Sequence, residues 1–321
     1  ALASETGGKL NTVTLGFEEF RGTEHDEVPL AELIAKQYGT RHQTIWVKKA
    51  DFIAERERLL DVMDQPSTDG VNTYFVSMAA AKAGMKVAIS GLGGDELFGS
   101  YPSFGQLPRT VNAFRPFNKV PVLGRIFRSV SSPILKTFTS PKYAGLVEYG
   151  GSWGGAYLLR RGMFMPWEME KLLDKDMVRE GLQELQSLER LEETVGHIQN
   201  DYLKVSGLEL NWYMRNQLLR DADWAGMAHS LEIRVPFLDL EFLRSLLPML
   251  CSGNRPDKRA LASVPAKPLP TAVLERKKTG FTVPVREWLM EGKGVEGAGR
   301  GLRDWSKKIH EEFKLPAQIG G

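Results

Sequence analysis

The stretch ISGLGGDELFGSYPSF, residues 89–104, decides how the rest of the chain is read. It carries the apolar run MKVAIS (85–90) into Gly91, Gly93 and Gly94, sets Asp95 and Glu96 directly after them, and closes on Gly99, Tyr101 and Phe104. An apolar run bounded by glycines reads as a buried strand that turns sharply. The turn admits two readings. Successive backbone N–H groups can face one concavity and hold phosphate oxygens, with Asp95 taking a Mg²⁺ that bridges them. Alternatively, the glycines serve backbone geometry alone and Asp95 caps a helix. The stretch fits neither GxxxxGK(S/T) nor GxGxxG, so neither common nucleotide fingerprint applies.

Upstream, two periods alternate. TVTLGF (12–17) and HQTIWV (42–47) read as short strands. VPLAELIAKQYG (28–39), DFIAERERLLDVMD (51–64) and DGVNTYFVSMAAAKAG (69–84) have helical spacing, with Asp51 as the N-cap of the second and Gly39 and Gly84 as closing residues. Strand, helix, strand, helix, helix, strand predicts an α/β fold: a mostly parallel sheet with helices on both faces. Ligands of such sheets bind beyond the carboxyl ends of the strands, where residues 89–104 lie. Trp46 and Val47, which end the second strand, are therefore candidate neighbours of an adenine ring, or simply core. ALASETGGKL (1–10) reads as the end of a helix and a glycine turn, so the chain is expected to begin inside an element.

Downstream, residues 105–147 hold seven Lys or Arg, no Asp or Glu, and scattered prolines. They read as a basic surface for a polyanion or as a solvated helical insertion. The lack of aromatic–basic interleaving favours the insertion. From 155 to 250 the periodicity is helical and no repeat emerges. EGKGVEGAGRG (291–301) has the composition of a linker, and LRDWSKKIHEEFKL (302–315) reads as a terminal helix. The expected organisation is an α/β part over 1–104, a basic insertion over 105–154, a helical part over 155–290, and a linker with a terminal helix over 291–321.

The chain has 321 residues, enough for one large domain or two ordinary ones. Its 42 basic and 40 acidic residues nearly cancel, which gives no reason to expect a nucleic-acid partner. Cys251 is the only cysteine, which excludes an internal disulfide and a Cys-based zinc site. His25, His42, His197 and His310 lack metal-ligand spacing, and His229 reads as a partly buried histidine. No apolar run spans a bilayer and no signal segment is evident, so a cytoplasmic protein without a membrane partner is expected.

Three blocks carry a resemblance. SGLGGDELFGSYPSF (90–104), LLRDADWAGMAHSLEIRVPFLD (218–239) and ERKKTGFTVPVREWL (275–289) resemble, in order and spacing, the synthetase domain of the asparagine synthetase family. DQPSTDGVNTYF (64–75) is similar to a subset of its members. The resemblance implies an ATP pyrophosphatase fold of the adenine nucleotide alpha hydrolase type. It further implies that ATP and Mg²⁺ serve to adenylate a small-molecule carboxylate, aspartate or an analogue, and that ammonia from an N-terminal glutaminase domain displaces AMP. Carried over residue by residue, it sets Ser90, Gly91, Gly93 and Gly94 against the nucleotide and makes Asp95 the Mg²⁺ ligand. Tyr101 then lines the active site and Lys278 contacts the phosphates that leave as pyrophosphate. By composition alone Lys278 is a solvated lysine beside Arg276 and Lys277. Asp223, in the RDAD run, is a candidate to face the pocket, although acids beside arginines commonly form structural pairs. Arg234 and Asp239 are expected to pair or cap to fix the RVPFLD corner.

Two departures qualify the resemblance. The family's SGGxDS pyrophosphate loop and its glutaminase domain are absent, so the chain is expected to be a piece of a longer one, lacking the first strand and unable to turn over ATP alone. Leu92 stands where asparagine-forming members carry a glutamate, and leucine accepts no proton. Either Asp223 or Glu232 serves as base, or the acceptor differs. The alternative is a nucleotide-binding or scaffolding relative without ligation, and a homodimer is the assembly to test for.

Overall fold

The computed structural model describes residues 1–138, 140–276, 284, 288 and 301–313. The principal elements in chain order are β1 (Asn11–Phe17), α1 (Val28–Gln37), β2 (Arg41–Val47), α2 (Lys49–Asp61), α3 (Gly70–Lys82) and β3 (Val87–Ile89). There follow α4 (Gly94–Leu97), α5 (Ser103–Phe114), α6 (Pro121–Phe138), α7 (Leu146–Tyr149), α8 (Trp153–Arg161), α9 (Lys175–Leu185), α10 (Ser187–Gly196) and α11 (Asp201–Leu208). A π-helical stretch Glu209–Leu218, α12 (Leu219–Met227), β4 (Glu232–Arg234), α13 (Leu240–Cys251) and α14 (Gly301–Glu312) complete the series. The protein is mixed α/β, mostly helical, with small parallel sheets. Its residues group into two compact units, each discontinuous in sequence.

The first unit comprises residues 1–92, 217–244 and the described residues from 256 onward. β1 and β2 pair in parallel, from Asn11 opposite Arg41 to Phe17 opposite Val47, and α1 makes the crossover that a parallel pair requires. The inward side chains Leu15, Phe17 and Val47 join Phe52 and Leu59 of α2, and Tyr74 and Phe75 of α3, in one core. Trp224 of α12, Trp288, and Trp305 and Ile309 of α14 fill the same core. α2 begins at Lys49, so Asp51 is not the expected N-cap. It sits in the first turn, where Oδ2 accepts the backbone N–H of Lys48 at 2.9 Å and so still satisfies a helix-end donor.

β3 does not join the first pair. It pairs in parallel with β4, Val87 opposite Glu232 and Ile89 opposite Arg234, so the expected single sheet is two two-stranded sheets among the described residues. β4 lies within the block that the sequence presents as a corner, because three residues are too few to show a period. Val87 and Ile89 are 43% and 70% exposed, unusual for the apolar strand of a parallel pair.

The second unit comprises residues 93–216 and 245–255. Its core joins Leu107 and Val111 of α5, Ala156 and Tyr157 of α8, Leu191 and Val195 of α10, and Val205 and Leu208 of α11. Caps set the helix ends: Ser152 accepts the N–H of Gly155, Asp174 those of Asp176 and Met177, and Asn200 that of Leu203. Residues 105–147 are largely helical, through α5 and α6.

Candidate active site

In the first unit two blocks that lie far apart in sequence, at Ser90 and at Arg234, hold each other. The Ser90 N–H donates to the Arg234 carbonyl at 2.8 Å, extending the β3–β4 ladder by one bond. The RVPFLD block thereby fixes the point where the chain leaves β3 for the glycine turn. The Leu92 N–H folds back onto Ser90 Oγ at 3.3 Å, and a side chain at Gly91 would meet nothing within 4 Å. The corner is not closed by an Arg234–Asp239 pair. Arg234 Nε donates to Glu232 Oε1 at 2.9 Å, both exposed, and Asp239 caps α13 by accepting the Phe242 N–H at 3.0 Å.

The RDAD run splits by helical phase. Asp223 is exposed on α12, whereas Asp221 is 2% exposed, accepts Trp224 Nε1–H at 2.9 Å, and has its carboxyl pushed up by burial. Arg220 reaches the DQPS segment, donating to Gln65 Oε1 at 2.7 Å and lying 3.4 Å from Asp64. Val47 is 1% exposed, its side chain inside the core, and Trp46 lies under the Arg21 guanidinium at 4.6 Å. His229 packs edge-on against Tyr74 at 4.4 Å, and burial, aided by the charge of Arg58, pulls its pKa down. Lys278 lies outside the described residues; its neighbour Arg276 pairs with Glu27 at 3.2 Å.

Leu92 ends the first unit and Gly93 opens the second. Gly93 has φ +96°, a left-handed conformation that glycine adopts without the Cβ penalty. Gly93 and Gly94 are buried, and Asp95 follows half-buried in the first turn of α4. Behind Asp95 stands a polar network that the sequence did not announce. Tyr101 donates to Glu96 Oε1 at 2.9 Å. The Arg161 guanidinium lies over the rings of Tyr101 and Tyr213, 4.7 and 3.8 Å from their centroids. Arg161 also grips Glu209 through Nε at 2.9 Å and Nη2 at 2.8 Å. Glu209 accepts Ser103 Oγ–H at 2.7 Å and Tyr157 OH at 3.1 Å as well. Glu96 and Glu209 are 1% and 0% exposed. Burial drives the Glu96 carboxyl up against the opposing bond from Tyr101, and burial with the Glu96 charge drives the Tyr101 phenol up. The network thus locks the Tyr101 ring by a hydrogen bond at its oxygen and a cation on its face.

Among the described residues no three His, Cys, Asp or Glu side chains converge as a metal cluster. Asp95 offers a hard carboxylate oxygen. That suits Mg²⁺, which is commonly held by one or two carboxylates together with substrate phosphates rather than by an all-protein cage.

Residues 1–316 match the protein family described as asparagine synthase. The chain belongs to the asparagine synthase family. It is 31% identical over 314 aligned positions to a Mycobacterium tuberculosis protein provisionally named a glutamine-hydrolysing asparagine synthetase, covering 93% of this chain and 45% of that one. It is 27% identical over 328 positions to glutamine-hydrolysing asparagine synthetase 1 of Bacillus subtilis, covering 99% of this chain and 48% of that one. The chain therefore spans a little under half the length of these curated relatives. No solved structure matches it with significance. Membership of the asparagine synthase family implies an adenine nucleotide alpha hydrolase fold and use of ATP.

The residues missed in the sequence were Asp221, Arg161 and Glu209. Asp221 and Glu209 are buried and Arg161 is partly buried, and the buried apolar residues one helical turn away, Ala225, Val205 and Tyr157, are the signal that points to them.

Proposed function

We propose that this chain is the carboxylate-activating half of a glutamine-dependent amidotransferase. An oxygen of a small-molecule carboxylate attacks the α-phosphorus of ATP. The new O–P bond forms as the bond to pyrophosphate breaks. Ammonia then attacks the acyl carbon, the C–O bond to AMP breaks, and the nitrogen loses a proton to give the amide. The observation that carries this reading is the Ser90–Arg234 bond, which holds the SGLGGDE turn at the carboxyl end of a parallel strand, where α/β folds bind nucleotides.

Asp95 would hold the Mg²⁺, which when bound supplies positive charge to the phosphates that leave. Ser90, Gly91, Gly93 and Gly94 present backbone to the nucleotide, Tyr101 offers a fixed phenol to the substrate, and Lys278 stabilises the pyrophosphate. Ammonia comes from a glutaminase part of the longer protein. Leu92 removes general-base catalysis at its position, which favours an acceptor other than that of the asparagine makers. The second reading, a nucleotide-binding relative without ligation, rests on the same residue.

The test is pyrophosphate release by the whole protein against a panel of carboxylates, with ATP and Mg²⁺. Release that needs a carboxylate and falls at least about a hundredfold on Asp95→Asn supports ligation, on the scale typical of losing one charge-stabilising group. Nucleotide binding without release for any carboxylate supports the second reading.

A further inference from the structure

α6 (Pro121–Phe138) divides into a packed side and a bare one. On the packed side Gly124 lies so close to α7 that an added Cβ would stand 2.7 Å from Glu148 Cα. Next to it Arg128 donates to Glu148 at 2.7 Å and lies 4.7 Å over Trp167. On the opposite side Val122, Leu123, Ile126, Phe127 and Val130 are 61, 51, 56, 44 and 67% exposed. At about 100° per residue these five fall within an arc of about 140°, one continuous apolar stripe. Phe117 and Val120, also exposed, prolong it ahead of the helix. A stripe this continuous on an otherwise ordinary surface calls for a covering partner.

The charge around the stripe says which. Residues 105–147 contain seven basic and no acidic side chains. Arg109 and Arg115 are exposed, and Arg125, on the flank of the stripe, is 73% exposed with Glu148 4.0 Å away. A nucleic acid would use the charge and leave the aliphatic stripe in water. An anionic lipid surface uses both. No described helix is long and apolar enough to cross a membrane, so α6, about 27 Å long, suits an orientation in the plane of the interface.

We propose that α6 docks this protein onto an anionic lipid bilayer, its stripe sunk at the acyl boundary and its arginines among the headgroups. This departs from the expectation of no membrane partner, which rested on the want of a spanning or signal segment and does not bear on a helix lying in the interface.

The experiment is sedimentation of the full chain with vesicles of phosphatidylcholine alone or with added phosphatidylglycerol, at near-physiological salt. The chain is expected to bind the phosphatidylglycerol vesicles and not the neutral ones. Arg125→Glu weakens binding about thirtyfold, from about 1 kcal/mol per charge at such a surface. The pair Ile126→Asp and Val130→Asp abolishes it, with unchanged circular dichroism because both side chains face solvent in the free protein. An environment-sensitive dye on Ile126→Cys, in a Cys251→Ser background, shifts to the blue on vesicles. Failure to bind, equal binding by the aspartate pair, or a dye that stays red overturns the proposal. So does a wild-type dimer that the aspartate pair dissolves while vesicles are ignored, which assigns the stripe to a second copy.

Discussion

Replacing Glu209 by alanine tests the polar network at its most committed point. The carboxylate is 0% exposed and receives four donors: Ser103 Oγ, Tyr157 OH, and Nε and Nη2 of Arg161. Truncation leaves Arg161, whose side chain is 26% exposed, without its counter-charge, and two buried hydroxyls without their acceptor. Breaking a buried ion pair from one side costs about 3–5 kcal/mol, and each orphaned hydroxyl about 1 kcal/mol or more unless water enters the space left. Arg161 retains some access to solvent, so the lower half of the ion-pair range applies, about 3–4 kcal/mol, and the two hydroxyls bring the total to about 5–6 kcal/mol. Hydrogen exchange in peptides covering 153–161 and 201–216 reads this locally, which suits a protein of two compact units better than one global transition. Arg161→Met should cost about 2–3 kcal/mol less in the Glu209→Ala background than in the wild type, the coupling of a pair in direct contact. A loss below about 1 kcal/mol on Glu209→Ala would refute the reasoning, since the desolvation of the carboxylate would then cancel its bonds.

Glu96 has a raised pKa in the folded protein, so below its ordinary value of 4.5 both states hold the proton and no penalty arises. Stability contributed there is lost as pH rises from that value through the folded-state pKa. Glu96→Gln should remove this slope in urea titrations taken across pH, while Tyr101 keeps an acceptor. His229 is the opposite case. Its pKa is lowered, so the unfolded chain binds the proton first and stability is lost as pH falls below the ordinary 6.5. His229→Phe keeps the ring beside Tyr74 and should flatten the acid limb of the same titration. Gly70 stands where a Cβ would lie 2.3 Å from Trp224 Cζ2 and 3.0 Å from Asp221 Oδ1. Gly70→Ala should therefore cost about 1–3 kcal/mol by overpacking, with a changed tryptophan emission; an unshifted unfolding midpoint counts against the tight fit.

Much of the first unit was legible because its elements are local. β1, β2 and the helix between them follow from period and from glycine punctuation, each within a residue or two of its observed bounds. The family could be read because three blocks with unusual glycine, arginine and lysine spacing occur in order. What could not be read was which acid of RDAD turns inward. Asp221 and Asp223 are two residues apart, which on a helix is more than half a turn, so one is buried and the other open. Nor could the chain of side chains behind Asp95 be read, since Glu96, Arg161 and Glu209 are brought together from distant positions by helix packing.

By itself the sequence determined the kinds of element, the family, and the glycine turn after 89 as the point of interest, because these depend on residues a few positions apart. Only the tertiary structure decided that Arg234 and Ser90 share a ladder bond, that Tyr101 is clamped by Glu96 and Arg161, and that α6 turns its apolar side outward. Those depend on which faces meet. That is settled by burial and by the need of every buried polar group for a partner, and neither is a property of any short stretch of chain.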